Sequence, residues 1–76
     1  TNFTKLIQQR MKNKLRILRA EKEVTQADLA DIIGVSRQTI NAMEKSKYIP
    51  STVLALKLAA YFNVEVTNIF QLEESD

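Results

Sequence analysis

The 76-residue sequence contains no cysteine and no histidine, and only one glycine and one proline. Without cysteine there is no disulfide, thiol nucleophile or thiolate ligand, and without histidine the usual general base and Cys/His zinc sites are missing too. A single glycine rules out a phosphate-cradling loop. Apolar runs are a few residues long, well short of the ~20 needed to span a bilayer, and the N-terminus carries no apolar signal core. A cytoplasmic protein that is not an enzyme, with no cofactor and no metal site, is therefore expected.

What is present is an ordinary globular composition, 45% hydrophobic and 26% charged, far from the charge-rich, apolar-poor range of disorder. A chain this short buries only about 60% of its extended surface, so it makes one domain. The net charge of +2 is unevenly spread: ten Lys/Arg face five acids up to Tyr48, whereas Lys57 is the one base against Glu65, Glu73, Glu74 and Asp76 beyond it. That polarity suits a face turned toward a polyanion and equally suits a solvated basic surface.

Leu, Ala, Lys, Gln and Glu dominate between the breakers Gly34 and Pro50, which predicts an all-helical fold. A first helix is expected over about Lys12 to Glu21, with Leu15 and Leu18 on one face. Thr25 is placed to cap a second helix, with Asp28 completing a capping box and Val24 and Leu29 positioned as a hydrophobic staple. Leu29, Ala30 and Ile33 form its buried stripe, and it stops at Gly34, the residue best suited to a left-handed terminus. Ser36 repeats the same signal for a third helix running to about Lys45, with Val35 and Ile40 as staple. On a helical wheel Ile40, Met43 and Glu44 share one side; Gln38, Ala42 and Lys45 lie opposite, flanked by Arg37 and Asn41. Ser51 caps a fourth helix whose stripe is Leu54, Ala55, Leu58, Ala59 and Phe62. A brief fifth helix is expected near Val66 to Phe70.

Two short helices joined by a tight glycine turn, the second with a compact polar face, can place one helix in a groove about 12 Å wide. An ordinary helical hairpin has the same periodicity. The residues are more specific: QADLADIIGVSRQTINAMEK, from Gln26 to Lys45, resembles the helix-turn-helix of the phage repressor, Cro and Xre family. LRILRAEKEVTQ upstream and KYIPSTVLALKLAAYFNV downstream resemble that family's first and fourth helices, so the resemblance covers roughly Met11 to Leu72. The compact cytolysin-repressor type is especially similar.

The resemblance implies a five-helix, lambda-repressor-like DNA-binding domain, with a small β-ribbon pairing Met11 to Lys14 with Phe70 to Leu72. It implies a regulator, expected to be a repressor, that binds double-stranded operator DNA. Arg37, Gln38 and Ala42 fall on the family's principal base-reading positions, with Ser36, Thr39 and Asn41 beside them. Gln26 matches a glutamine that donates to phosphate and buttresses the recognition helix, and Thr25 adds its amide or hydroxyl. Ala42 departs from members with a polar residue there, so at most it packs on a thymine methyl. Arg19 and Glu44 align with a structural ion pair. Lys45, Lys47 and Tyr48 are placed to touch phosphates.

One short recognition helix reads few base pairs, so a homodimer on an inverted-repeat operator, with half-sites about 34 Å apart, is expected. Surplus apolar residues after Pro50 are candidates for the interface: Val53, Val64, Val66, Ile69, Phe70 and Leu72, at least half of which the monomer core should claim. Residues 1–10 lie outside the resemblance and are read as an N-terminal extension, 11–72 as the domain and 73–76 as an acidic tail. Two other readings compete: a protein-binding module such as the antitoxin partner of a toxin, and an enzyme using the carboxylates of Asp28 with Asp31 or Glu73 with Glu74. The latter pairs look like solvent-facing charges. A membrane-surface role is disfavoured because the basic first helix has no aromatic apolar face.

Overall fold

The computed structural model of the chain describes residues 11–72. Its elements are β1 (Met11–Asn13), α1 (Leu15–Glu21), α2 (Gln26–Ile33), α3 (Arg37–Glu44), α4 (Thr52–Phe62), α5 (Val66–Ile69) and β2 (Phe70–Leu72). The extension at 1–10 and the acidic tail at 73–76 lie outside the described residues.

The first helix starts at Leu15 rather than near Lys12, because Met11–Asn13 are strand. They pair antiparallel with β2, Met11 opposite Leu72, Lys12 opposite Gln71 and Asn13 opposite Phe70, and the Lys14 amide donates to the Ile69 carbonyl at 2.9 Å. Phe70 accordingly opens a strand instead of closing α5. Asn13 then acts at two helix ends at once. Its Oδ1 accepts from the Leu15 amide at 3.1 Å, and its Nδ2 donates to the Met43 carbonyl at 2.7 Å. One side chain thus satisfies a free donor of α1 and shares with the Ser46 amide a carbonyl in the last turn of α3, groups that lack a partner within their own helix.

Thr25, Ser36 and Ser51 cap α2, α3 and α4, their hydroxyls accepting from the amides of Asp28, Thr39 and Leu54 at 3.0–3.1 Å. At Thr25 the capping box is complete, since the Asp28 carboxylate accepts from the Thr25 amide in return. α3 ends at Glu44, with Lys45 as its C-cap.

Each helix contributes to one core. Leu15, Leu29, Ile40, Met43, Leu58 and Ile69 are fully buried, surrounded by Ala30, Ile33, Leu54, Ala59, Phe62 and Phe70. Burying a side chain of this size is worth about 1.5–3 kcal/mol. At the rim, the Lys22 ammonium sits 4.5 Å from the centre of the Tyr61 ring and links the end of α1 to α4. Among the described residues no helix is long and apolar enough to cross a membrane.

Among the described residues, three turns adopt the left-handed conformation without glycine, at Glu23, Ser46 and Asn63, with φ of 56°, 59° and 57°. Asn tolerates this region, whereas a glutamate pays for its Cβ there by about 1–2 kcal/mol. Glycine would relieve that cost while giving back about 0.4–1 kcal/mol in unfolded-chain entropy. Glu23→Gly is therefore expected to raise stability by about 0.5–1 kcal/mol in denaturant titration; a lower midpoint at unchanged slope would contradict the assignment.

Candidate nucleic-acid interface

The contact between α2 and α3 is the largest between helices of the domain. Gly34 ends α2 and begins the turn between them. It stands at φ 89°, ψ 36° and, with Val35, donates its amide to the Ala30 carbonyl, at 2.8 and 3.0 Å. A Cβ there would meet nothing within 4 Å, so the need for glycine lies in the backbone conformation and not in space. Ala30, 3% exposed, contributes only a methyl group to the core beside this turn.

α3 has two faces. Ile40, Met43 and the Glu44 side chain, the last 1% exposed, turn inward. Arg37, Gln38 and Lys45 are exposed, and Thr39, Asn41 and Ala42 are half-buried along the border. Arg37, Gln38 and Asn41 come together with Gln26, the first residue of α2, to line one shallow recess. No carboxylate lines it.

Behind the recess lies a polar chain anchored on Glu44. Arg19 of α1 donates through Nε to Oε2 at 2.7 Å and through Nη2 to Oε1 at 3.3 Å, and its Nη1 reaches the Val24 carbonyl at 3.1 Å. Gln26 Nε2 donates to Glu44 Oε1 at 3.0 Å, and Asn41 Nδ2 donates to Gln26 Oε1 at 3.4 Å. The exposed Arg16 stands 3.8 Å from the same carboxylate. Burial alone would raise the Glu44 carboxyl pKa. The bonds from Arg19 and Gln26, with the charges of Arg19 and Arg16, outweigh it and hold the group below its usual range.

The remaining site residues fall around this centre. Thr25 is exposed, but its hydroxyl and amide are both engaged with Asp28. The Ser36 and Thr39 hydroxyls bond each other at 2.9 Å. Lys45, Lys47 and Tyr48 are exposed on the segment that leaves α3. Of the apolar residues expected at an interface, Ile69 and Phe70 belong to the monomer core, at 0% and 7% exposure. α5 and β2 fold them inward, which places them in the share of the surplus apolar residues that the monomer core is expected to claim. Val64 and Val66 pack partly against the core, and Val53 and Leu72 are exposed.

Sequence reading did not assign Asn13, Arg16 or the bond from Gln26 to Glu44. The inward position of Glu44 on the wheel signalled that its carboxylate needed donors, but not that Gln26 would be one of them.

The helix-turn-helix family model matches residues 15–69. An HTH-type transcriptional regulator of Methanocaldococcus jannaschii is 53% identical over 66 residues, spanning 87% of this chain and 100% of that protein. The cryptic phage CTXphi transcriptional repressor RstR of Vibrio cholerae is 31% identical over 64 residues, 84% of this chain and 58% of that protein. The crystal structure of the restriction-modification controller protein C.AhdI from Aeromonas hydrophila superposes with a TM-score of 0.66 at 33% identity, covering 72% of this chain and 83% of that one. With five helices, a terminal β-ribbon and this match across most of its length, the chain belongs to the Xre/Cro-type helix-turn-helix family of DNA-binding transcriptional regulators, which are not enzymes.

Proposed function

We propose that this regulator represses transcription by binding inverted-repeat operator DNA as a homodimer, with α3 in the major groove. The observation that carries the reading is the recess where Arg37, Gln38 and Asn41 meet Gln26 on the outer side of α3. Arg is suited to guanine O6/N7 and Gln to adenine N6/N7. Gln26 retains a second N–H for a phosphate, and Lys45, Lys47 and Tyr48 are exposed beyond α3, where backbone contacts would fix register without reading sequence. The repressor name of the CTXphi relative supports the sign of regulation.

An eight-residue helix is only about 12 Å long and covers a few base pairs, which favours two copies on one site. Val53 and Leu72, 65% and 60% exposed, remain available for contact between copies.

A gel-shift titration on the chain's own upstream DNA across about 50–200 mM salt tests this. Log affinity for an inverted repeat is expected to fall by ~0.9 per phosphate contact per log unit of salt. Arg37→Ala and Gln38→Ala should each lose about 1–3 kcal/mol of discrimination against altered bases. Weak, sequence-indifferent binding by wild type and variants alike would refute the reading and point to a protein partner.

A further inference from the structure

The polar chain behind the recess has only one self-consistent direction. An ionised carboxylate only accepts hydrogen bonds, so Gln26 must turn its NH2 toward Glu44. Its Oε1 is thereby committed to the α3 side, where it accepts from Asn41 Nδ2. Asn41 has two N–H groups. Giving Gln26 the N–H remote from Oδ1 keeps the Asn41 carbonyl oxygen away from the Gln26 carbonyl oxygen. What Asn41 keeps is an amide edge carrying an acceptor and a donor side by side, on a residue that lines the same recess as Arg37 and Gln38. That edge complements the N6–H donor and N7 acceptor of adenine in the major groove.

We propose that Asn41 reads an adenine in each half-site, and that Glu44, acting through Gln26, is the positioning residue that fixes which way the Asn41 amide points. The proposal rests on the DNA-reading function above and adds a base identity and a mechanism of orientation to it. Arg19 belongs to the same device, since its two bonds hold the Glu44 carboxylate to which Gln26 also donates. The ion pair that looks purely structural thus extends to the reading surface in two further hydrogen bonds.

The test is selection of bound duplexes from a pool randomised across the half-site, read by sequencing, with wild type, Asn41→Ala, Gln38→Ala, Gln26→Ala and Glu44→Gln. Wild type should select adenine at a position whose preference drops roughly tenfold or more in Asn41→Ala and survives in Gln38→Ala. Gln26→Ala, which leaves Arg19 on Glu44, should weaken the same preference beyond any uniform loss of affinity from a missing phosphate contact. Glu44→Gln, with folding checked by circular dichroism, should do the same.

An unchanged preference profile in Asn41→Ala overturns the adenine assignment. Loss in Asn41→Ala with full retention in Gln26→Ala overturns the positioning role. Wild type that selects no sequence overturns the DNA-reading function itself, and the inference with it.

Discussion

Arg19→Leu is expected to cost about 3 kcal/mol at neutral pH and to reverse the sign of the Glu44 contribution to pH dependence. The Glu44 side chain is 1% exposed and Arg19 supplies its two-bond partner. Breaking a buried pair from one side costs about 3–5 kcal/mol, since it strands a desolvated charge; Gln26 still donates one bond, which places the effect at the low end. Arg16 does not substitute, being 71% exposed and 3.8 Å away in solvent-screened contact.

In the wild type the folded pKa of Glu44 is lowered. Its contribution is therefore present above the unfolded value of about 4.3 and is lost as pH falls through that value toward the folded one. In Arg19→Leu the burial stays while the main compensation goes, so the folded pKa rises above the unfolded one. The penalty is then largest at neutral pH and disappears on acidification. Thermal melts of both proteins should differ by roughly 12–24 °C at pH 7, taking about 4–8 °C per kcal/mol for a domain of this size. The gap should narrow steadily toward pH 4. Equal melting temperatures at pH 7, or a gap independent of pH, would show that Arg19 is not what keeps Glu44 ionised.

Most of the fold was legible because its signals are local. The caps at Thr25, Ser36 and Ser51, the turn at Gly34 and the stripes of α2 and α4 each depend on residues within four positions, and the structure has them at those places. The errors lie where distant residues decide. Lys12 to Lys14 carry no helix-breaking residue and three residues are too few for alternation to show, so periodicity runs the first helix through them; the strand into which Phe70–Leu72 draw Met11–Asn13 is the ribbon that the family resemblance implies. Which of the surplus apolar residues after Pro50 the core claims, Ile69 and Phe70 among them, depends on the elements α5 packs against and is not written in its own sequence. The left-handed turns at Glu23 and Ser46 carry no glycine to announce them.

The candidate site divides in the same way. Arg37, Gln38 and the inward side of Glu44 follow from a helical wheel. The bond from Gln26 to Glu44 joins residues 18 apart in sequence and depends on the crossing of α2 over α3. The family resemblance pointed to Gln26 as a buttress, but the acceptor it leans on appears only in three dimensions.

Leu58→Ala is expected to remove about 2–5 kcal/mol of stability, whereas Leu56→Ala, two residues earlier on the same helix, should stay within about 0.5 kcal/mol. The chemical change is identical in both. Leu58 is 0% exposed among the buried side chains of the core and Leu56 is 55% exposed, so the difference isolates burial. Deleting Leu58 loses both the transfer free energy of its side chain and the contacts of neighbours that cannot fully close the cavity. Domains in general have only about 5–15 kcal/mol in hand, and small ones lie toward the lower figure. The Leu58 variant should therefore show a populated unfolded fraction in urea titrations at concentrations where Leu56→Ala is still native. Comparable losses in the two variants would mean that α4 is rotated on its axis relative to the core, and the inward stripe of Leu54, Leu58 and Phe62 would have to be reassigned. A large loss confined to Leu58→Ala fixes that rotation, and with it the direction from which α4 closes the core over α2.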